Sequence, residues 1–309
     1  MTQIVISLAA GSMLAALAVA QPMGPGYGMT GPGGTVRYSA AQSHDDNAES
    51  NRNPLVYVLT NNPQTGAAGF GAIHLGSGAF VQIGGTLPGD LGHALAPTQR
   101  GSLLSMAFSG KLYSIDPRTG AASVVGATGL SDCTTPTSPC GPKSAVTLGL
   151  LDDKYYALDF SQNLYSLNPA TGATKLIGPT GMPQINFVPL SIAADGKLLV
   201  FDESLFSFRG KLYANFDSGQ VDLSNGSETA VIPAALYEID PRTGHATTIA
   251  PTELALLTIV NVNDTVYAFD TIHDRFVTVD VATGRTQAVS NVGAAAGFIC
   301  GATPANRDR

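Results

Sequence analysis

The chain lacks tryptophan altogether and has only three cysteines and five histidines in 309 residues. Without indoles it offers no large flat side chain on which an aromatic cofactor could stack. Positive charge is also scarce. The 16 lysines and arginines are scattered singly against 23 acidic residues, giving a net charge of −7. With no basic stripe to neutralise phosphates, and an acidic chain that repels them, nucleic acid is excluded as a partner. Also missing are a Gly-x-Ser-x-Gly elbow, a His-Glu-x-x-His pair and a strand-preceded phosphate loop. The histidines, His44, His74, His93, His245 and His273, are isolated in sequence, and each reads as a surface or loop residue.

Glycine and proline are plentiful, at 35 and 19 residues, as in a turn-dense all-β chain. The turns are not random. Leu112-Tyr113-Ser114-Ile115-Asp116-Pro117-Arg118-Thr119-Gly120, followed by Val124-Val125-Gly126, returns as Leu164 to Gly172 with Leu176-Ile177-Gly178. It returns again as Leu236 to Gly244 with Thr248-Ile249-Ala250, and in decayed form as Phe276 to Gly284. Each copy is a β-prone run, a proline-type turn ending in glycine, and a second β-prone run, which is a hairpin. The Asp or Asn side chain accepts a bond from the turn backbone, and glycine takes the left-handed conformation that leads into the next strand.

The turn glycines 120, 172, 244 and 284 recur at intervals of 52, 72 and 40 residues. The shortest interval, with about four short strands and no helical pattern, is the spacing of a β-propeller blade. Upstream of the second copy, Ala145 to Leu151 and Lys154 to Phe160 read as strands about Asp152-Asp153. Upstream of the fourth, Leu256 to Val262 and Thr265 to Phe269 do the same about Asn263-Asp264. The expected fold is all-β, one propeller of about five four-stranded blades ending near Gly85, Gly126, Gly178, Ala250 and Ser290. A degenerate sixth blade in the long third interval, through Lys197 to Phe201, Ser204 to Phe208 and Lys211 to Phe216, is the alternative. The first blade has only three candidate strands, with Gly76-Ser77-Gly78 in place of the signature turn. Gly297 to Ala302 is therefore expected to close the ring by joining it, because closure removes exposed sheet edges.

The Leu-Tyr-x-Ile-Asp-Pro-x-Thr-Gly run with its Val/Ile-Gly ending resembles the repeat of bacterial secreted β-propeller proteins, in the broad quinoprotein-like and WD40-like group. The resemblance covers Pro54 to Pro304. It implies a scaffold rather than an activity, since that group contains enzymes, binders and uncharacterised members. Within it a quinone-dependent oxidoreductase ranks low, because the chain has no tryptophan and is short for that class.

Residues 1–20 form an uncharged apolar run ending Ala18-Val19-Ala20, which reads as a signal peptide lacking the usual positive start. Residues 21–53 read as a flexible Gly/Pro-rich tail and 54–309 as the propeller domain. The expected location is secreted or periplasmic, with no membrane span after cleavage and a monomeric chain. In an exported chain Cys133 and Cys140 read as a disulfide closing a polar loop, and Cys300 as a buried thiol. Two cysteines without a nearby His or Cys do not complete a zinc shell.

Asp159, Asp217 and Asp270 each follow a tyrosine at the end of a candidate second strand. They either cap turns or, gathered at one rim, bind Ca²⁺ or another divalent cation. The expected function is a non-catalytic scaffold binding a protein or small-molecule ligand, with no catalytic residue and no cofactor. The alternative is a lactonase-like hydrolase or lyase with a divalent cation in the central channel.

Overall fold

The computed structural model describes residues 54–61, 68–88, 94–107, 109–131, 143–184, 195–222, 228–293, 296 and 298–305. Residues 1–53, expected as a leader and tail, and Cys133 and Cys140 lie outside these residues. Five four-stranded antiparallel sheets make up a five-bladed propeller. Blade I contains β1 (Leu55–Asn61), β2 (Ala68–His74) and β3 (Phe80–Gln82). Blade II runs β4 (Ala96–Pro97), β5 (Leu103–Met106), β6 (Lys111–Ile115) and β7 (Ala122–Ala127). Blade III is β8 (Ala145–Leu151), β9 (Lys154–Asp159), β10 (Asn163–Leu167) and β11 (Thr174–Pro179). Blade IV is β12 (Lys197–Phe208), β13 (Lys211–Asp222), β14 (Glu228–Ile239) and β15 (Ala246–Pro251). Blade V is β16 (Leu256–Val262), β17 (Thr265–Asp270), β18 (Arg275–Val279) and β19 (Thr286–Asn291). The last strand, β20 (Phe298–Pro304), pairs antiparallel with β1 and completes blade I, as the missing fourth strand required.

The core lies between blades rather than within one layer. One apolar cluster joins blade I to blades II and V, and three more fill the II–III, III–IV and IV–V gaps. Strands sandwiched this way carry apolar residues on both faces, so Val266, Ala268 and Phe269 are all buried.

The repeat motif is explained by how neighbouring blades meet. In each signature hairpin the register slips by one residue, after Leu112, Leu164, Leu236 and Phe276, so one residue of the outer strand bulges. The small residue just past that bulge then receives the turn of the next blade. A Cβ on Gly126 would overlap the carbonyl oxygen of Thr171, and one on Gly178 that of Thr243. The two glycines of the motif therefore serve one joint, the turn glycine on one blade and the ending glycine on its predecessor. Gly78 closes the circle in the same way against the Asn291 carbonyl of blade V.

Gly120 shows both demands at once. Its φ is +71°, and a Cβ there would stand 2.5 Å from the Ile83 oxygen. Gly129 has a similar φ of +74° but open space around its Cβ position. Gly129→Ala is expected to cost the conformational term alone, about 1 kcal/mol, and Gly120→Ala roughly twice that or more. Comparison of the two melting midpoints checks this, and equal losses would mean that the blade contact contributes nothing.

The long third interval contains no sixth sheet among the described residues. Its length goes into blade IV, where β12, β13 and β14 are 12 residues each. The two strands expected at 197–201 and 204–208 are one. Asp202-Glu203, which interrupt the apolar run and read as a break, are buried and continue the ladder opposite Asp217 and Phe216. Among the described residues no helix is long and apolar enough to cross a membrane.

Candidate functional site

Each sheet ends in a strand paired on one side only, and these five, β4, β8, β12, β16 and β20, contact one another around the axis. Their inner edges enclose a cavity of about 300 Å³. Its lining runs from the middle of the inner strands to their C-terminal ends and, among the described residues, contains no ionisable side chain. Gly149 and Gly301 let the inner strands approach closely, since a Cβ on Gly149 would stand 2.7 Å from the Leu205 side chain and one on Gly301 3.2 Å from the Ala94 backbone. Hydroxyls tie the blades together around the axis. Thr147 Oγ1 accepts from the Leu205 N–H at 3.1 Å, Ser204 Oγ accepts from the Ile259 N–H at 3.2 Å, and Thr258 Oγ1 donates to the Ile299 carbonyl at 3.5 Å. An edge strand carries unpaired backbone groups, and these hydroxyls from the neighbouring blade satisfy some of them.

The three aspartates singled out in the sequence lie in three different blades. Asp159 ends β9 and caps the following turn. It accepts from the Asn163 N–H at 2.9 Å, from Asn163 Nδ2, and from the Tyr165 hydroxyl at 2.9 Å. Burial and that bond push the Tyr165 phenol up to about 12. Asp270, fully buried at the end of β17, accepts from the Ile272 and His273 N–H groups, from His273 Nδ1 at 2.8 Å and from Arg275 Nε at 2.9 Å. Asp217 is not their equivalent. Asp159 and Asp270 stand third after Tyr156 and Tyr267, whereas the third residue after Tyr213 is Phe216. Asp217 sits in the middle of the β12–β13 ladder, directly opposite Asp202. Among the described residues no group of three or more His, Cys, Asp or Glu side chains could hold a metal ion.

Sequence reading missed the polar groups that β12 carries into the two neighbouring blades. Alternation along the strand points Asp202 and Glu203 to opposite faces. Asp202 Oδ2 accepts from Thr271 Oγ1 of blade V at 3.1 Å. Glu203 Oε2 accepts from Gln162 Nε2 of blade III at 3.2 Å, and on the same face Phe201 packs edge-on against Phe160 at 5.0 Å. Glu203 is 1% exposed, and its Oε1 has no hydrogen-bond partner. Burial pushes its carboxyl up to about 8. The Gln162 bond opposes the rise, and the charge of Asp159 adds to it. Gln162 is itself held at φ +60°, a region a glutamine enters at a cost, and its Oε1 is likewise without a hydrogen-bond partner. The available signal was a charged doublet inside a strand-length apolar run, since acidic residues are rarely buried without a purpose.

Cys300 is a free, buried thiol, as expected. Burial pushes it up to about 12, and its Sγ lies 3.6 Å from the Leu59 carbonyl, so it is an inert packing residue.

No family model and no curated protein matches this chain. Solved structures do resemble it. A chain of a nidogen/laminin complex aligns at 10% identity and TM-score 0.46, covering 82% of this chain and 98% of that one. A protein of unknown function from Bacteroides thetaiotaomicron aligns at 15% and 0.43, over 72% of this chain and 52% of that one. A PQQ-bound aldose sugar dehydrogenase from Streptomyces coelicolor aligns at 13% and 0.41, over 73% and 88%. Likeness at this level says nothing about activity.

Proposed function

We propose that this chain is an exported, non-catalytic, monomeric β-propeller that binds a ligand or protein partner outside the cytoplasm. The observation that carries the reading is the channel lining. A channel enzyme needs acid, base or metal-ligating groups converging on one point, and among the described residues this channel presents small, apolar, hydroxyl and amide groups instead. The uncharged run at residues 1–20 supports export.

A second reading is favoured by one feature. The buried Asp202 and Asp217 face each other across the β12–β13 ladder, where a divalent cation would offset their charge and could support a hydrolase or lyase. A thermal melt with and without EDTA, with Ca²⁺ or Zn²⁺ added back, separates the two when run beside an ester and lactone hydrolysis screen. The binder reading expects an unchanged midpoint and no turnover. A midpoint that falls on chelation and is restored by one cation, together with turnover, would replace it with the enzyme.

A further inference from the structure

The binder reading leaves open what the channel accepts, and the lining narrows it. A charged ligand would leave its hydration shell for a cavity whose described walls hold no opposite charge, so burial there is strongly unfavourable for carboxylates, phosphates and ammonium groups alike. The walls are nevertheless polar in both senses. Thr147, Ser204 and Thr258 form part of the wall with their hydroxyls bonded to the neighbouring blades, and backbone edges along it alternate N–H and C=O groups. Asn261 adds a side-chain amide to the wall, and its Oδ1, shielded and without a hydrogen-bond partner, becomes available to a donor when the side chain turns toward the channel. A hydroxyl both donates and accepts, which makes it the group that suits mixed walls of this kind. Leu148, Leu205 and Ile259 supply apolar wall between the polar groups, which matches the C–H surface of a compact polyol. At about 300 Å³ the cavity lies at the lower end of the range for small-molecule sites, too small for a nucleotide-sized ligand.

We infer that the axial channel of this propeller binds an uncharged, hydroxyl-rich small molecule of about monosaccharide size, with Asn261 turning its amide toward the channel so that Oδ1 accepts one of the ligand's hydroxyl protons. This inference rests on the binder reading. It excludes anionic and cationic analogues of the same ring, a difference that charge alone produces.

The test uses the full-length protein and matched probes: glucose and myo-inositol, then glucuronate and glucosamine, each read by thermal shift and titration calorimetry. The structure expects a saturable rise in midpoint with a neutral probe and none with the charged ones. Ser207, half-buried on the channel wall, is the position for a plug. Ser207→Trp should abolish the rise, and Asn261→Leu, of similar volume, should weaken binding at least tenfold while the ligand-free midpoint stays put. If Ser207→Trp does not fold, Asn261→Leu carries the test. Tighter binding of glucuronate or glucosamine would overturn the uncharged class while leaving a channel binder standing. Failure of all four probes, or neutral binding that survives both substitutions, would overturn the channel as the site, and a partner would have to be sought on the outer surface.

Discussion

Truncation after Val292 is expected to abolish cooperative unfolding of the whole ring, not merely to loosen its end. The segment removed contains β20, and β20 is the inner strand of blade I. It pairs with β1 from Val56↔Pro304 to Asn61↔Phe298, with one bulge after Leu59. Without it the inner edge of β1 is unpaired, and a row of backbone groups that the ring had closed away becomes an open edge. The Ile299 side chain, fully buried in the cluster that joins blades I, II and V, disappears with it, as does the carbonyl that accepts from Thr258 Oγ1. The effect spreads because each blade buries its faces only against its neighbours, so a gap at one joint leaves two blades with exposed apolar faces. A milder version is Ile299→Ala, expected to cost about 3 kcal/mol through the cavity it leaves. Both are read by circular dichroism melts. Retention of a single transition at the wild-type midpoint by the truncated chain would refute closure by β20.

How much of this is legible in the sequence depends on whether a feature repeats. The signature hairpins, and from them a count of about five blades, are readable because Asp116, Asn168, Asp240 and Asp280 all perform the same local task. Each accepts a turn N–H two residues ahead, at 2.8 to 2.9 Å. Local chemistry of that kind leaves a local pattern. The inner strand of blade II leaves almost none, since β4 is only two residues long and its Pro97 gives no strand signal. The extra length of β12 to β14 reads as a break because Asp202 and Glu203 look like turn residues, whereas their partners Asp217, Thr271 and Gln162 lie 15, 69 and 41 residues away or on another blade. Nothing local announces such a pairing. The channel is equally invisible in detail. Its walls come from five separate strands, and what distinguishes them, the lack of charge, can be seen only once the ring is closed.

Stability is expected to fall as pH rises from about 4.5 to about 8, and the chief cause is Glu203, whose carboxyl is pushed from an ordinary value of 4.5 to about 8 in the folded chain. Over that window the unfolded chain has released the glutamate proton and the folded chain still holds it. Unfolding therefore releases a proton, and each step up in pH favours the unfolded state. The contribution is fully present below the unfolded value and has been lost once pH has passed about 8. The size is bounded at on the order of 4–5 kcal/mol, because each tenfold change in an acid dissociation constant between the folded and unfolded chain is worth about 1.4 kcal/mol. Relaxation around the buried carboxylate makes the measured value smaller. Asp274, raised by burial and by the charge of Asp270, slopes the same way, so the wild-type profile alone does not isolate Glu203. Glu203→Gln does. An amide of the same shape cannot ionise, so the variant should lose most of the slope and be more stable than wild type near pH 8, by a few kcal/mol. At pH 4 the two should lie close together, because wild-type Glu203 is then neutral as well. Urea midpoints at pH 4, 6 and 8 measure this directly. Parallel profiles for the two proteins would mean that Glu203 is ionised at neutral pH and that Gln162, held at φ +60° to reach it, faces a charge rather than an acid.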